Sequence, residues 1–114
     1  MTTLSKLSCE ACSTGAQPLT NDEIDSMLFK LSGWELIIDS DIKKLKRQFH
    51  TEKYHQSVAF TNAIASLAES TNHHPQIILE YSSVTIIWWT HVIHGLHKND
   101  FILAAKTSEL FKSD

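Results

Sequence analysis

The sequence predicts an α+β fold, a four-stranded antiparallel sheet with three helices packed on one face, in the order α-β-β-α-β-β-α. Three observations predict it. Apolar residues recur at helical spacing in three separate stretches, beginning near residues 20, 52 and 99. Two pairs of short strand-like segments, at 34–50 and 77–91, lie between those stretches. The links within each pair suit hairpins rather than crossovers, which makes the sheet antiparallel and gathers the helices on one face.

The elements follow in order. Thr20 and Glu23 stand at capping-box spacing. Ile24, Met27, Leu28 and Leu31 then fall at i, i+3, i+4 and i+7, on one face of a first helix. Gly33 is placed to stop it, because glycine takes a positive φ without steric cost. Trp34 to Ile38 is rich in strand formers, with Trp34, Leu36 and Ile38 on one side. Asp39-Ser40-Asp41 suits a turn, and residues 42–50 then set Leu45 and Phe49 against Lys44, Lys46 and Gln48. Residues 52–70 read as a long second helix lined by Phe60, Ile64 and Leu67, which Pro75 prevents from continuing. Ile77, Leu79 and Tyr81 alternate, Ser82-Ser83 is a short link, and Val84 to His91 is a strand apolar on both faces. Gly95 breaks that pattern, and Asn99 or Asp100 caps a third helix carrying Phe101, Ala104, Ala105 and Phe111.

Composition bounds the function. A chain of 114 residues, 42% hydrophobic, builds one core without disulfide or metal staples. We expect one domain over residues 19–114, behind a flexible segment 1–18 that shows no sustained period. Charged residues at 20% and a net charge of −3 argue against disorder and against a nucleic-acid partner. The longest apolar runs, such as Val84 to Trp89, are too short for a membrane span, and the N-terminus lacks the apolar stretch of a signal peptide. The expectation is a cytoplasmic protein without a membrane partner. Cys9-x2-Cys12 is half of a zinc-knuckle spacing with no second pair, and reads as two free thiols of a reducing compartment. Lys43-Lys44-Leu45-Lys46-Arg47 reads as a solvated edge or hairpin, since alternation divides its cations between faces.

One feature resists a bland reading. Five of the seven histidines, His73, His74, His91, His94 and His97, fall within 25 residues of one another. The groups expected to converge are Glu69 near the end of the second helix, His73 and His74 on the bend before Pro75, Tyr81 ending the third strand's alternation, His91 at the end of the last strand, and Asp100 at the start of the last helix. In a four-stranded antiparallel sheet the end of the fourth strand lies near the start of the third, so His91 approaches His73 and His74. Three histidines and a carboxylate also suit zinc, and His91-x2-His94-x2-His97 has helical spacing. Gly95 inside that run, after a strand, makes a helix there improbable, and no metal is expected.

The spacing Glu-x3-His-His-Pro-x5-Tyr-x9-His-x8-Asp, filled here by Glu69, His73, His74, Pro75, Tyr81, His91 and Asp100, resembles the signature of the pterin-4a-carbinolamine dehydratases. Gly33-Trp34, Phe60-Thr61-Asn62, Trp88-Trp89, Gly95-Leu96 and the Cys9-Glu-Ala-Cys12 lead resemble bacterial members, so the likeness covers essentially the whole chain. The resemblance implies an enzyme that removes water from 4a-hydroxytetrahydrobiopterin to give quinonoid dihydropterin, which recycles the cofactor of aromatic amino-acid hydroxylases. It implies no cofactor of its own, a functional link to phenylalanine hydroxylase, and a homodimer or homotetramer. The same family supplies an alternative: animal members assist dimerisation of a transcriptional regulator, which would make this chain a protein-interaction module.

The chemistry needs a proton delivered to the departing hydroxyl and another removed from N5. Histidine suits both, because either protonation state is accessible near neutrality. On this resemblance His73, His74 and His91 are the catalytic candidates, with His73 and His91 as acid and base in an order the sequence leaves open. His74 holds the pterin or serves the opposite C4a stereoisomer. Glu69 accepts from pterin nitrogens or tunes a histidine, and Asp100 orients His91 as carboxylates do for catalytic histidines. Pro75, Trp89 and backbone groups around Thr90 complete the candidate pterin site, one of the two tryptophans flanking the ligand while the other fills the core.

Overall fold

The Thr20 hydroxyl accepts from the Glu23 N–H and the Glu23 carboxylate accepts from the Thr20 N–H, so the capping box closes. It opens α1, Asn21–Phe29, in a computed structural model that describes residues 17–112. The elements that follow are β1 (Glu35–Asp39), β2 (Ile42–His50), α2 (Tyr54–Thr71), β3 (Gln76–Glu80), β4 (Ser83–Trp88) and α3 (Lys98–Lys112). The sheet has the order β1-β2-β4-β3 with every pair antiparallel. The helices cover one face, as the α+β reading requires. Most of the segment 1–18, including Cys9 and Cys12, lies outside the described residues.

Register explains the core. Leu45 opposes Trp88, Arg47 opposes Ile86 and Phe49 opposes Val84, so these six side chains share the helix-covered face. Ile24 from α1, Phe60, Ile64 and Ala68 from α2, and Phe101, Leu103 and Ala104 from α3 close over them. Phe49, Phe60 and Phe111 meet with ring centroids 4.9–5.2 Å apart. Each large apolar side chain buried this way contributes about 1.5–3 kcal/mol. The Trp88 indole N–H donates to Thr107 Oγ1 at 3.0 Å, which gives its buried polar end a partner.

Several local expectations shift. α1 ends at Phe29, earlier than Gly33; Gly33 (φ 90) instead turns the chain into β1, and a Cβ there would collide with the Arg47 guanidinium. The hairpin between β1 and β2 turns on Ser40 and Asp41, both at positive φ, which is the pattern of a type I′ turn. Ile38, beside that turn, is exposed although it shares a side with Leu36. Glu80 pairs with Ser83, so the second hairpin turns on Tyr81-Ser82 rather than Ser82-Ser83. β4 stops at Trp88, three residues before His91.

The basic run is not uniformly solvated. The Lys44 ammonium lies 4.0 Å from the Trp89 ring centroid and 3.0 Å from Asp39, and holds the Asp39 carboxyl below its ordinary range through that hydrogen bond. Arg47 turns to the opposite face, donates to Ser108 Oγ at 3.0 Å and stacks over Phe49, and burial pushes its pKa down. Long aliphatic stems let both cations lie along apolar surface. No helix among the described residues is long and apolar enough to cross a membrane.

Candidate functional site

Asn72 ends α2. It takes the left-handed conformation (φ 52), and the His73 N–H turns back to the Ala68 carbonyl at 3.1 Å. This is the geometry of a Schellman stop, for which asparagine is the usual substitute for glycine. The sequence reading assigned the stop to Pro75 alone; Asn72 was the missed signal. The turn aims His73 inward against the core, its ring 5.9 Å from that of Trp88.

Inside, His73 Nε2 meets Asp100 Oδ1 at 2.8 Å. The His73 side chain is 9% exposed and Asp100 is fully buried. Asp100 holds its place because α3 begins at Lys98, with His97 just before it. The His97 N–H donates to Asp100 Oδ2 at 2.9 Å, while the Asn99 N–H donates to His97 Nδ1 at 3.1 Å. His97 therefore caps the helix, and Asp100 is the acidic member of a reciprocal box rather than the cap itself. The spacing His97-x2-Asp100 was visible in the sequence, but histidine is not a usual cap and was missed.

Asp100 was expected to orient His91, and the structure gives it to His73 instead. The reason is the early end of β4. The Thr90 N–H donates to the Gly95 carbonyl at 2.8 Å and the Gly95 N–H returns to Thr90 at 3.4 Å. A 3₁₀ turn, His91–Ile93, bulges between them and carries His91 out to the surface. There His91 Nε2–H donates to the His74 carbonyl at 3.2 Å. The His91 ring stacks on Trp89 with centroids 4.3 Å apart. Trp88 fills the core, fully buried, and Trp89 is half-buried against His91 and Lys44.

His74 Nε2 meets Glu69 Oε1 at 2.6 Å, in a more open setting, with the imidazole 53% exposed. Glu69, His73, His74, Pro75, Trp89, Thr90, His91 and Asp100 thus gather at one end of the sheet. Tyr81 does not join them: it lies at the far end of β3, exposed and stacked on Tyr54. His50 and His55 line a cavity of about 400 Å³ between the starts of α2 and the end of α3, also at that far end. Among the described residues no group of three or more His, Cys, Asp or Glu side chains converges to hold a metal ion.

The arrangement assigns protons. The His74 carbonyl only accepts, so His91 carries its hydrogen on Nε2 and presents Nδ1. With Asp100 ionised, His73 also donates through Nε2 and keeps Nδ1 as its acceptor. Two imidazoles, each held through Nε2, therefore stand at one rim with Nδ1 left over.

The family model described as pterin 4 alpha carbinolamine dehydratase matches residues 17–110. The chain belongs to this family. Its activity is the dehydration of a pterin-4a-carbinolamine, which recycles the tetrahydrobiopterin cofactor. A protein bearing the family name from Vibrio cholerae serotype O1 is 50% identical over 107 residues, covering 94% of this chain and 98% of that one. A namesake from Marinobacter nauticus is 46% identical over 111 residues, covering 97% and 100%. Among solved structures, a transcriptional coactivator/pterin dehydratase from Brucella melitensis superposes with a TM-score of 0.75 at 26% identity, over 82% of this chain and 98% of that one. A pterin dehydratase-like protein identified as a RuBisCO assembly factor in the alpha-carboxysome superposes at 0.60, also at 26% identity, over 72% and 93%.

Proposed function

We propose that the family's dehydration runs over the rim formed by His73, His74 and His91, with His73 as base and His91 as acid. The observation that carries the assignment is the pairing of His73 with the buried carboxylate of Asp100. A carboxylate behind an imidazole stabilises the imidazolium that forms when the ring takes a proton. His73 Nδ1 then removes the N5 proton of the carbinolamine. The C4a–O bond breaks as His91, entering the step as imidazolium with its Nε2–H held by the His74 carbonyl, delivers its Nδ1 proton to the leaving hydroxyl and is left neutral; water departs, and the C4a=N5 double bond forms. Two protons move and no electrons are exchanged with an outside partner, so the residues need no redox group.

Glu69 and His74, linked at the open side of the rim, are the proposed contacts to the pterin's polar edge. Trp89 offers a flat apolar surface beside His91, and Pro75 fixes the bend that carries the histidines. The functional link to phenylalanine hydroxylase, a homodimeric or homotetrameric assembly and a cytoplasmic setting belong to the same reading, on the strength of the family.

The test is a coupled assay with a pterin-dependent hydroxylase. H73A and H91A each lower the dehydration rate by about 100- to 10,000-fold, the range typical of general acid–base groups. Circular dichroism of both variants stays that of the parent protein. A double variant that still turns over at nearly the normal rate removes the assignment.

A further inference from the structure

We propose that Thr90 is a positioning residue for the reaction, its hydroxyl fixing the buried Asp100 carboxylate that in turn holds His73. The proposal rests on the assignment of His73 as a proton-transfer group. Thr90 lies in the half-turn between β4 and His91, where a ligand contact would be natural. Its side chain instead points inward and is 2% exposed. The hydroxyl donates to Asp100 Oδ2 at 2.7 Å. Its N–H and carbonyl are both engaged with Gly95. The residue therefore faces the carboxylate from behind.

Asp100 Oδ2 receives two donors, Thr90 Oγ1–H and the His97 N–H, and Oδ1 is left facing His73 Nε2. Two donors on one oxygen fix the rotation of the carboxylate about its χ2 bond, a torsion otherwise broad for aspartate. That rotation decides whether Oδ1 lies in line with Nε2–H. A buried carboxylate short of a donor relaxes toward whatever donor remains. Without the Thr90 hydroxyl, Oδ1 loses its fixed direction, and His73 loses both its orientation and its preference for the tautomer that leaves Nδ1 free. A misplacement of about 1 Å at a reacting group is enough to cost orders of magnitude in rate. Thr90 also joins two segments of the rim. The residue next to it is His91, so one threonine registers the His91 turn against the Asp100–His73 pair.

The experiment compares T90V, T90S and T90A with the parent protein and with H73A in the coupled assay, kcat and KM being measured separately. Valine keeps the shape and removes the donor; serine keeps the donor. We expect kcat of T90V to fall about tenfold while KM stays within about twofold, and T90S to return to within about threefold of the parent kcat. T90A, which relieves any strain valine introduces, is expected to lose kcat in the same way. A folded T90V or T90A with the parent kcat overturns the proposal, as does T90S as slow as T90V. A rise in KM that accounts for the loss overturns it too, because Thr90 would then be contacting substrate. H73A separates the two readings: if it is slow while T90V is normal, only the role of Thr90 fails; if H73A is itself normal, the assignment of His73 falls and this proposal with it.

Discussion

Replacing Asp100 by asparagine preserves the side chain's shape and turns one acceptor oxygen into an NH₂ donor. Three donors converge on the native carboxylate, from Thr90, His97 and His73. Turned one way the NH₂ meets the His73 Nε2–H, and turned the other it meets the His97 N–H and the Thr90 hydroxyl. In the first case the ring must move its hydrogen to Nδ1, the atom assigned to the substrate. D100N is therefore expected to lower kcat by about 100-fold or more, as a wrong tautomer does in other carboxylate–histidine pairs. It should also lower stability by about 1–3 kcal/mol, the cost of leaving a buried polar group unsatisfied. Turnover and thermal denaturation of the same preparation check both numbers. At this scale the sequence was legible in part. Chain position and the family resemblance brought out Glu69, His73, His74, Tyr81, His91 and Asp100 as a set, and hairpin topology limits which strand ends can meet; Tyr81 alone of these lies away from the rim. It did not reveal which histidine Asp100 serves, since that depends on β4 ending at Trp88 and on the outward 3₁₀ turn, neither of which apolar alternation encodes.

Among the elements, α1 is the one whose start depends most visibly on ionisation. The hydrogen bonds of the Glu23 carboxylate with the Thr20 N–H and hydroxyl group lower its pKa from an ordinary 4.5. A depressed folded-state pKa contributes stability that is present above the unfolded value and lost as pH falls through the folded one. Acidification below 4.5 should therefore weaken the α1 cap. E23Q keeps an oxygen for the Thr20 N–H and cannot titrate. The expected outcome is a slightly lower melting temperature than the parent protein at neutral pH and a gap that closes toward about pH 3. Melting curves across that range decide it; a gap independent of pH speaks against the cap as its source. The helix starts were partly legible here because capping chemistry is local: Thr20-x2-Glu23 could be read directly. His97-x2-Asp100 obeys the same geometry with an imidazole nitrogen in place of a hydroxyl, and a rule framed on Ser, Thr, Asp and Asn passes over it. Strand ends were less legible, since Tyr81 and Val84 both favour strands while pairing register alone decides which lies in the turn.

For the molecule as a whole, the expected boundary at residue 18 meets a physical detail. The Leu19 N–H donates to the Leu96 carbonyl at 2.9 Å, and a Cβ on Gly95 would stand 3.2 Å from the Pro18 ring. Pro18 thus packs against the same loop that carries His91. Deletion of residues 1–18 is expected to leave the fold and most of the turnover, because the Thr20 cap and every signature residue remain. It should lower the melting temperature by a few degrees relative to deletion of residues 1–16, about what the loss of 1 kcal/mol does in a domain of this size. Melting curves and the coupled assay on both shortened proteins test this; equal melting temperatures would make the Pro18 contact energetically idle. The overall architecture was legible because it follows from hairpins and amphipathic periods, which are repeated signals. The site's wiring was not, because it rests on single hydrogen bonds. The pairing of His73 with Asp100 spans 27 residues of chain and that of His91 with His74 spans 17. The first needs the start of α3 in place, and the second needs the turn that follows β4. The rim is therefore a product of loop closure: it forms only once segments of that length have met, and a chain with native helices but an undocked α3 would lack the His73–Asp100 pair.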